Sequence, residues 1–168
     1  MRKIIIGVMG PGENATEIDL INAYNLGELI AQQGWVLLTG GRNVGVMERA
    51  SQGAKANGGL TVGILPGKNT TGISEAVDIA IVTDMGNGRN NVNVLSSDII
   101  IACGMGLGTA SEVALALKNG KPVLLLTNHL ESQLFFTSFS TELVTIVHSA
   151  QAAIETIKNI IVDIELIS

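Results

Sequence analysis

One stretch constrains this chain more than any other: the apolar run Ile99 to Ala102 passes through Cys103-Gly104-Met105-Gly106-Leu107-Gly108-Thr109-Ala110-Ser111-Glu112 into the helix-like Val113-Ala114-Leu115-Ala116-Leu117. It reads as strand, glycine turn, helix start. Glycines at alternate positions give the backbone conformations closed to other residues and clear side-chain bulk away from the main-chain N–H groups. A helix leaving such a turn adds its unpaired amides and the positive end of its dipole, and Thr109 and Ser111 place hydroxyls in its first turn. The stretch is built like an anion cradle. A tight turn that only lets strand and helix pack closely needs the same glycines, so recurrence decides between the readings.

The pattern recurs. Lys3 to Met9 is a β-branched apolar run closed by Gly10-Pro11-Gly12, and Asn14 with Glu17 resembles a capping box that opens a helix running to Gly34. Trp35 to Thr39 runs into Gly40-Gly41-Arg42-Asn43-Val44-Gly45, from which a second helix extends to Asn57. Thr61 to Leu65 and Ile79 to Thr83 are further strands, separated by a polar loop with a short helical turn expected at Ser74-Glu75-Ala76. Asp84 to Asn91 is a polar loop ahead of a helix to Ser97. After the cradle helix, which ends at Asn119-Gly120, come a strand at Val123 to Leu126, a short helix before Ser140, a strand at Leu143 to Val147 and a helix from Ser149 to about Asn159. The tail from Ile160 to Ile167 fits either helix or strand.

Strands that alternate with helices and lack polar alternation imply a mostly parallel sheet buried on both faces. The expected fold is therefore α/β: a Rossmann-like, doubly wound three-layer sandwich of roughly seven strands. In such a fold the loops after the strands share one edge, where ligands bind. The turns at Gly10-Pro11-Gly12, Gly40 to Gly45, Asp84 to Asn91 and Gly104 to Thr109 all follow strands, so they converge on that edge.

Composition narrows the partners. A chain of 168 residues with 46% hydrophobic content suits a single domain over 1–168. A formal net charge of −5 argues against nucleic acid and acidic membranes, which both need a basic field, so any anion must be held locally. No apolar run approaches the roughly 20 residues of a membrane span, and Met1-Arg2-Lys3 leads straight into a strand, so a cytoplasmic location is expected. The single cysteine, Cys103, reads as a small buried hydrophobe. The histidines, His129 and His148, form no metal constellation, although His129 follows a strand and so falls on the ligand edge. With only 15% charged residues, more apolar surface is expected than one small sandwich buries, so the chain should form a homo-oligomer, a dimer or tetramer. The helices Val44 to Asn57 and Val113 to Lys118 are the candidate faces.

Gly40-Gly41 with Gly45-Val46-Met47, the run Gly86 to Arg89-Asn90, Gly106-Leu107-Gly108-Thr109 with Glu112, and Gly120-Lys121-Pro122-Val123 together resemble the superfamily of the lysine-decarboxylase-like proteins. The resemblance covers about Lys3 to Leu126. One branch of that superfamily holds phosphoribohydrolases that release the base of a nucleoside 5′-monophosphate, using an Arg-Lys pair and the glutamate of a Pro-Gly-Gly-x-Gly-Thr-x-x-Glu motif. The other holds molybdenum cofactor carrier proteins. Here Gly104-Met105-Gly106 stands where the hydrolase motif begins, and Arg89 is followed by Asn90 rather than lysine, while Glu112 is kept. The resemblance thus implies a carrier with molybdopterin as cargo and no catalytic residues, with molybdoenzymes or cofactor-inserting proteins as its delivery partners. The alternatives are a hydrolase using Arg89 and Glu112, or a non-catalytic nucleotide-binding domain.

A carrier for such a ligand needs an anion cradle and amide-rich hydrogen bonding. Gly106, Leu107, Gly108 and Thr109 would hold the anionic end, and Arg42 or Arg89 would neutralise it. Asn43, Asn87 and Asn90 would address the pterin edge. Gly10, Gly12, Gly40, Gly41 and Gly45 complete the expected binding set, with Glu112 either accepting hydrogen bonds from pterin N–H groups or turning back to cap its own helix.

Overall fold

Each apolar run becomes a strand: β1 (Ile5–Met9), β2 (Val36–Thr39), β3 (Leu60–Leu65), β4 (Ile79–Val82), β5 (Ile99–Cys103), β6 (Val123–Leu126) and β7 (Val144–Ile146). The helices are α1 (Glu17–Gln32), α2 (Gly45–Ala56), α3 (Arg89–Ser96), α4 (Leu107–Lys118), α5 (Leu130–Thr137) and α6 (Ala150–Ile167), with a 3-10 turn at Gly86–Gly88 leading into α3. The computed structural model describes residues 2–167. Its seven strands form one sheet in the order β4-β3-β2-β1-β5-β6-β7, and every neighbouring pair is parallel. The fold is the expected Rossmann-like α/β sandwich, and no helix among the described residues is long and apolar enough to cross a membrane.

Strand order sets the site. The chain steps outward from β1 to β4, then returns to the other side of β1 with β5. The loops after β1 and β5 therefore leave neighbouring strands for opposite faces of the sheet, opening a crevice at the reversal point. On one face α1, α2 and α6 bury Leu26, Ile30, Val46, Ala50, Ile154 and Ile157 against Ile6, Val8 and Leu37. On the other, Val94 of α3, Val113 and Ala116 of α4 and Phe136 of α5 cover Met9, Leu38, Ile64, Ile100 and Leu125.

Helices α1 and α2 meet backbone to backbone. A Cβ on Gly27 would lie 2.0 Å from the Ala50 carbonyl oxygen, and one on Gly53 would lie 2.1 Å from the Tyr24 carbonyl oxygen. Both helices therefore cross where neither carries a side chain.

Local details refine the sequence expectation: the loop expected at Asp84 to Asn91 is helical from Arg89, the start of α3, behind the Gly86–Gly88 3-10 turn. The capping box of α1 is Thr16 with Asp19, not Asn14 with Glu17: Thr16 Oγ1 accepts from Asp19 N–H at 3.3 Å, and Asp19 accepts from Thr16 N–H at 3.0 Å. At Ser74-Glu75-Ala76 the expected turn is a single one, Val77 N–H donating to the Ser74 carbonyl at 3.2 Å; the Gly41 carbonyl accepts from Ser74 N–H, and Arg42 forms an isolated antiparallel bridge with Ile73. Helix α6 continues past Asn159 to Ile167, with Ile160 and Ile161 packed against the α1 side of the core.

Candidate functional site

The three glycine turns are locked to each other at the crevice. A Cβ on Gly10 would lie 2.3 Å from the Cys103 carbonyl oxygen, and one on Gly45 (φ +57°) would lie 2.2 Å from that of Gly12. Val46 N–H donates to the Pro11 carbonyl at 3.0 Å, tying the start of α2 to the loop after β1. Gly10 and Gly45 thus owe their identity to the close approach of loop to loop. The result is a preformed edge with a cavity of about 340 Å³, within the range of small-molecule pockets.

The cavity gathers most of the residues singled out in the sequence. Gly10, Gly12, Gly40, Arg42, Arg89 and Asn90 line it, as do Gly106, Leu107, Gly108, Thr109 and Glu112, with Asn87 from the 3-10 turn. Gly41, Asn43 and Gly45 do not. Gly41 packs against the backbone of Gly63 in β3, and the Asn43 amide N–H donates to the Gly72 carbonyl, on the outer side of the β2 loop. His129 lies elsewhere as well, as the N-cap of α5, where its Nδ1 accepts from Ser132 N–H at 3.2 Å. Pro11 and Met105 line the cavity within the turns expected at this edge, while sequence reasoning missed Met9 and Met47, together with Glu13 and Asn14.

Electrostatics distinguish two regions. At the start of α4, Gly106 is an extended N-cap without a side-chain cap, and Ala110 N–H is the first amide to find a carbonyl, that of Gly106 at 2.8 Å. The amides of Leu107, Gly108 and Thr109 are the orphan donors of a helix N-terminus. Beside them Thr109 Oγ1 is buried without a partner. Ser111 Oγ donates to the Gly108 carbonyl at 2.7 Å and accepts from Asn90 Nδ2 at 2.8 Å, which fixes Asn90 across from the cradle.

The second region is a buried charged corner. Arg89 is 9% exposed; its Nη1 donates to Asn90 Oδ1 at 3.3 Å, and its Nε has no partner among the described residues. Gly40 makes room for the guanidinium, since a Cβ there would lie 2.8 Å from Nη1 and 2.9 Å from Nη2. Burial draws Arg89 down from its ordinary value, with the Glu112 charge opposing and the Arg42 charge reinforcing that change. Arg42 stays exposed, 3.8 Å from Glu13. The Cys103 thiol is pushed far above its ordinary range by burial, with Asp19 adding, and its Sγ faces the Asp19 carbonyl at 3.4 Å.

Glu112 stands 6% exposed on the floor of the cavity, where Oε1 accepts from Nδ2 of the fully buried Asn93 at 2.8 Å. Burial pushes its carboxyl up to about 7, against the downward pulls of the Asn93 hydrogen bond and the Arg89 charge. The folded state therefore holds a proton that the unfolded chain gives up near 4.5. Stability from this group is greatest below that ordinary value and falls as pH rises to about 7, a loss of about 3 kcal/mol across that window. Urea unfolding at pH 5 and pH 8 should show this loss in the parent chain, and Glu112→Gln should remove it. An equal dependence on pH in both proteins would contradict the assignment.

Comparison with known proteins places this geometry. The family model described as the SLOG cluster4 family matches residues 3–154. The chain belongs to that family. Within the solved structures, this family member is similar to the molybdenum cofactor binding protein from the phototrophic bacterium Rippkaea orientalis, with 69% identity, a TM-score of 0.95, and coverage of 96% of this chain and 99% of that one. It is also similar to the Moco carrier protein from Chlamydomonas reinhardtii, with 52% identity, a TM-score of 0.91 and the same coverage. A cytokinin riboside 5′-monophosphate phosphoribohydrolase from Mycobacterium tuberculosis is more distant: 34% identical over 100 residues, 58% of this chain and 54% of that protein. The SLOG cluster4 assignment and these neighbours agree with the family expected from the glycine motifs.

Proposed function

We propose that this chain binds the molybdenum cofactor and carries it as cargo, without changing it chemically. The observation that carries the reading is 69% identity over 96% of the chain to a molybdenum cofactor binding protein. The cavity suits such a ligand on chemical grounds. The molybdenum cofactor brings a phosphate, a polar pterin and a metal-oxo group. The orphan amides of Leu107, Gly108 and Thr109 with Thr109 Oγ1 fit an anionic end. Arg89, and Arg42 at the rim, supply positive charge. Asn87, Asn90 and Glu112 offer the mixed donors and acceptors that a pterin edge requires. Purification under anaerobic conditions followed by mass spectrometry should find a molybdopterin species on the protein. A nucleoside monophosphate found in its place would overturn the reading.

The nucleotide hydrolase is the second reading, favoured by the retention of Arg89 and Glu112 in the lining of one cavity. Base release from a nucleoside 5′-monophosphate, abolished by Glu112→Gln, would support it. We expect no release.

Self-association and delivery belong to the same proposal. The apolar side chains of α2, namely Val46, Met47, Ala50 and Ala54, are buried within their own chain, so that expected face is already occupied. Beside α4 the surface is different: Leu107, Leu130, Leu134, Phe135 and Phe139 are all more than half exposed. Phe135 and Phe139 stack edge to face there at 5.0 Å, and exposed apolar patches mark interaction surfaces. Light scattering at micromolar concentration should report a dimer or tetramer, and Leu134→Glu with Phe139→Glu should yield monomer. A monomer mass for the parent chain would remove this part of the proposal. Delivery to molybdoenzymes or cofactor-inserting proteins follows from the carrier role.

A further inference from the structure

Glu112 is an unusual choice for the floor of an anion site. A carboxylate there repels the charge that the α4 amides and the two arginines attract. Among the described residues it forms no ion pair, and its one hydrogen bond comes from Asn93 Nδ2. The oxygen of that amide, Asn93 Oδ1, is buried with no partner at all among the described residues. A carboxylate needs several donors to be held buried as an ion. This corner supplies one.

The surroundings offer no other compensating group. On α4 itself the remaining ionisable side chain is Lys118, exposed at the far end of the helix. Helix α4 packs against α3, α5, β5 and β6. Their ionisable side chains are Arg89 on α3, Glu131 on α5 and Cys103 on β5, and β6 carries none. Glu131 is exposed, and Cys103 belongs to the core cluster on the opposite face of the sheet. At the cavity rim Arg42 and Glu13 pair with each other at 3.8 Å. Only Arg89 faces Glu112, and an anionic ligand would compete for that charge.

We propose that the site takes up its anionic ligand together with one proton from solvent, which resides on Glu112 and lets its carboxyl donate a hydrogen bond to an acceptor atom of the ligand. The proposal rests on the carrier reading and deepens it. Two negative groups sharing one cavity force the weaker acid to remain protonated. The neutral carboxyl then contributes a donor where a carboxylate would contribute repulsion. The role expected of Glu112 from the sequence, an acceptor for pterin N–H groups, is thereby inverted. Burial already holds this carboxyl near 7 before any ligand arrives, so little extra free energy is needed to complete the protonation. Asn93 suits both states, since its amide can present either Nδ2 to the carboxylate or, turned over, Oδ1 to the carboxyl proton.

The test uses the full chain and a 7,8-dihydropterin bearing a phosphate monoester, titrated between pH 7.5 and 9.5, where the reduced ring stays neutral and the phosphate stays dianionic (second ionisation at about 6). One linked proton weakens binding about tenfold per pH unit in the parent protein. Glu112→Gln, which keeps a neutral donor, should bind with no such slope. Calorimetry of the parent protein in two buffers of different ionisation enthalpy should independently show about one proton taken up per ligand near pH 8.5, a readout that does not depend on any variant folding. A flat pH profile in the parent protein, or the same slope in Glu112→Gln, would overturn the proposal while leaving the carrier reading in place. If neither protein bound the phosphorylated pterin at any pH, the carrier reading would fall, and this inference with it.

Discussion

Replacing Gly27 with alanine is expected to lower the stability of this protein by about 2 kcal/mol, although alanine is the better helix former. In an isolated helix the exchange would gain about 1 kcal/mol from propensity. Here the added methyl would lie 2.0 Å from the Ala50 carbonyl oxygen and 2.7 Å from the Ala54 amide nitrogen. Both are backbone atoms, so no rotamer change relieves the collision. The helices must part, which strips packing from the core beneath Leu26, Ile30 and Ala50. Overpacking of this kind costs roughly 1–3 kcal/mol and occasionally more, enough to reverse the propensity gain. For a chain of this length each kcal/mol moves Tm by about 2–4 °C, so a drop of about 6 °C should be seen by thermal denaturation. An unchanged or higher Tm would mean that α1 and α2 are not seated as described.

Arg89→Met is expected to separate binding from stability. The guanidinium is the buried cation of the cavity, with an unpartnered Nε and no ion pair among the described residues. That is a costly arrangement in the empty protein and a useful one for an anion. Removing it should weaken binding of the anionic ligand by about 100-fold, roughly 3 kcal/mol, because a desolvated charge-assisted pair is lost. The same change should leave the ligand-free protein at least as stable, since a buried cation is replaced by an apolar chain of similar length. Equilibrium titration and urea unfolding of one preparation would check both halves. Loss of stability with affinity intact would make Arg89 a structural residue instead.

The fold was legible because burial and backbone geometry write strong signals. Apolar runs such as Ile99 to Ala102 and Val123 to Leu126 leave little choice but a doubly covered strand, and the glycine turns after them mark where helices begin. Less legible was anything decided by a neighbour distant in sequence. Gly41, Asn43 and Gly45 look like ligand residues in the sequence, yet Gly41 faces β3 and Gly45 faces the loop after β1. Asn93 is the reverse case: it belongs to no motif in the sequence, yet it is fully buried against Glu112. A signal was available, because Arg89 and Asn93 are four residues apart and so share a helix face. The longer reach of α6 was hidden by the isoleucines near its end, which suit strand or helix until the core they cover is known.

The contact between α1 and α2 has a consequence for how such a site can be rebuilt. The loops after β1 and β2 are the N-terminal extensions of these helices, and the helices share a seam of bare backbone at Gly27 and Gly53. Neither loop can therefore be transplanted alone. A designer who wished to recast the cavity for a different anion would have to move residues from β1 through α2 as one cassette. The wall formed by α3 and the start of α4 is held together by side chains, Asn90 to Ser111, and meets the cassette's main chain at Gly10 and Cys103; away from that one close approach it could be redrawn one residue at a time. New specificity is accordingly most accessible from the α3–α4 side, while the α1–α2 side acts as the fixed jaw.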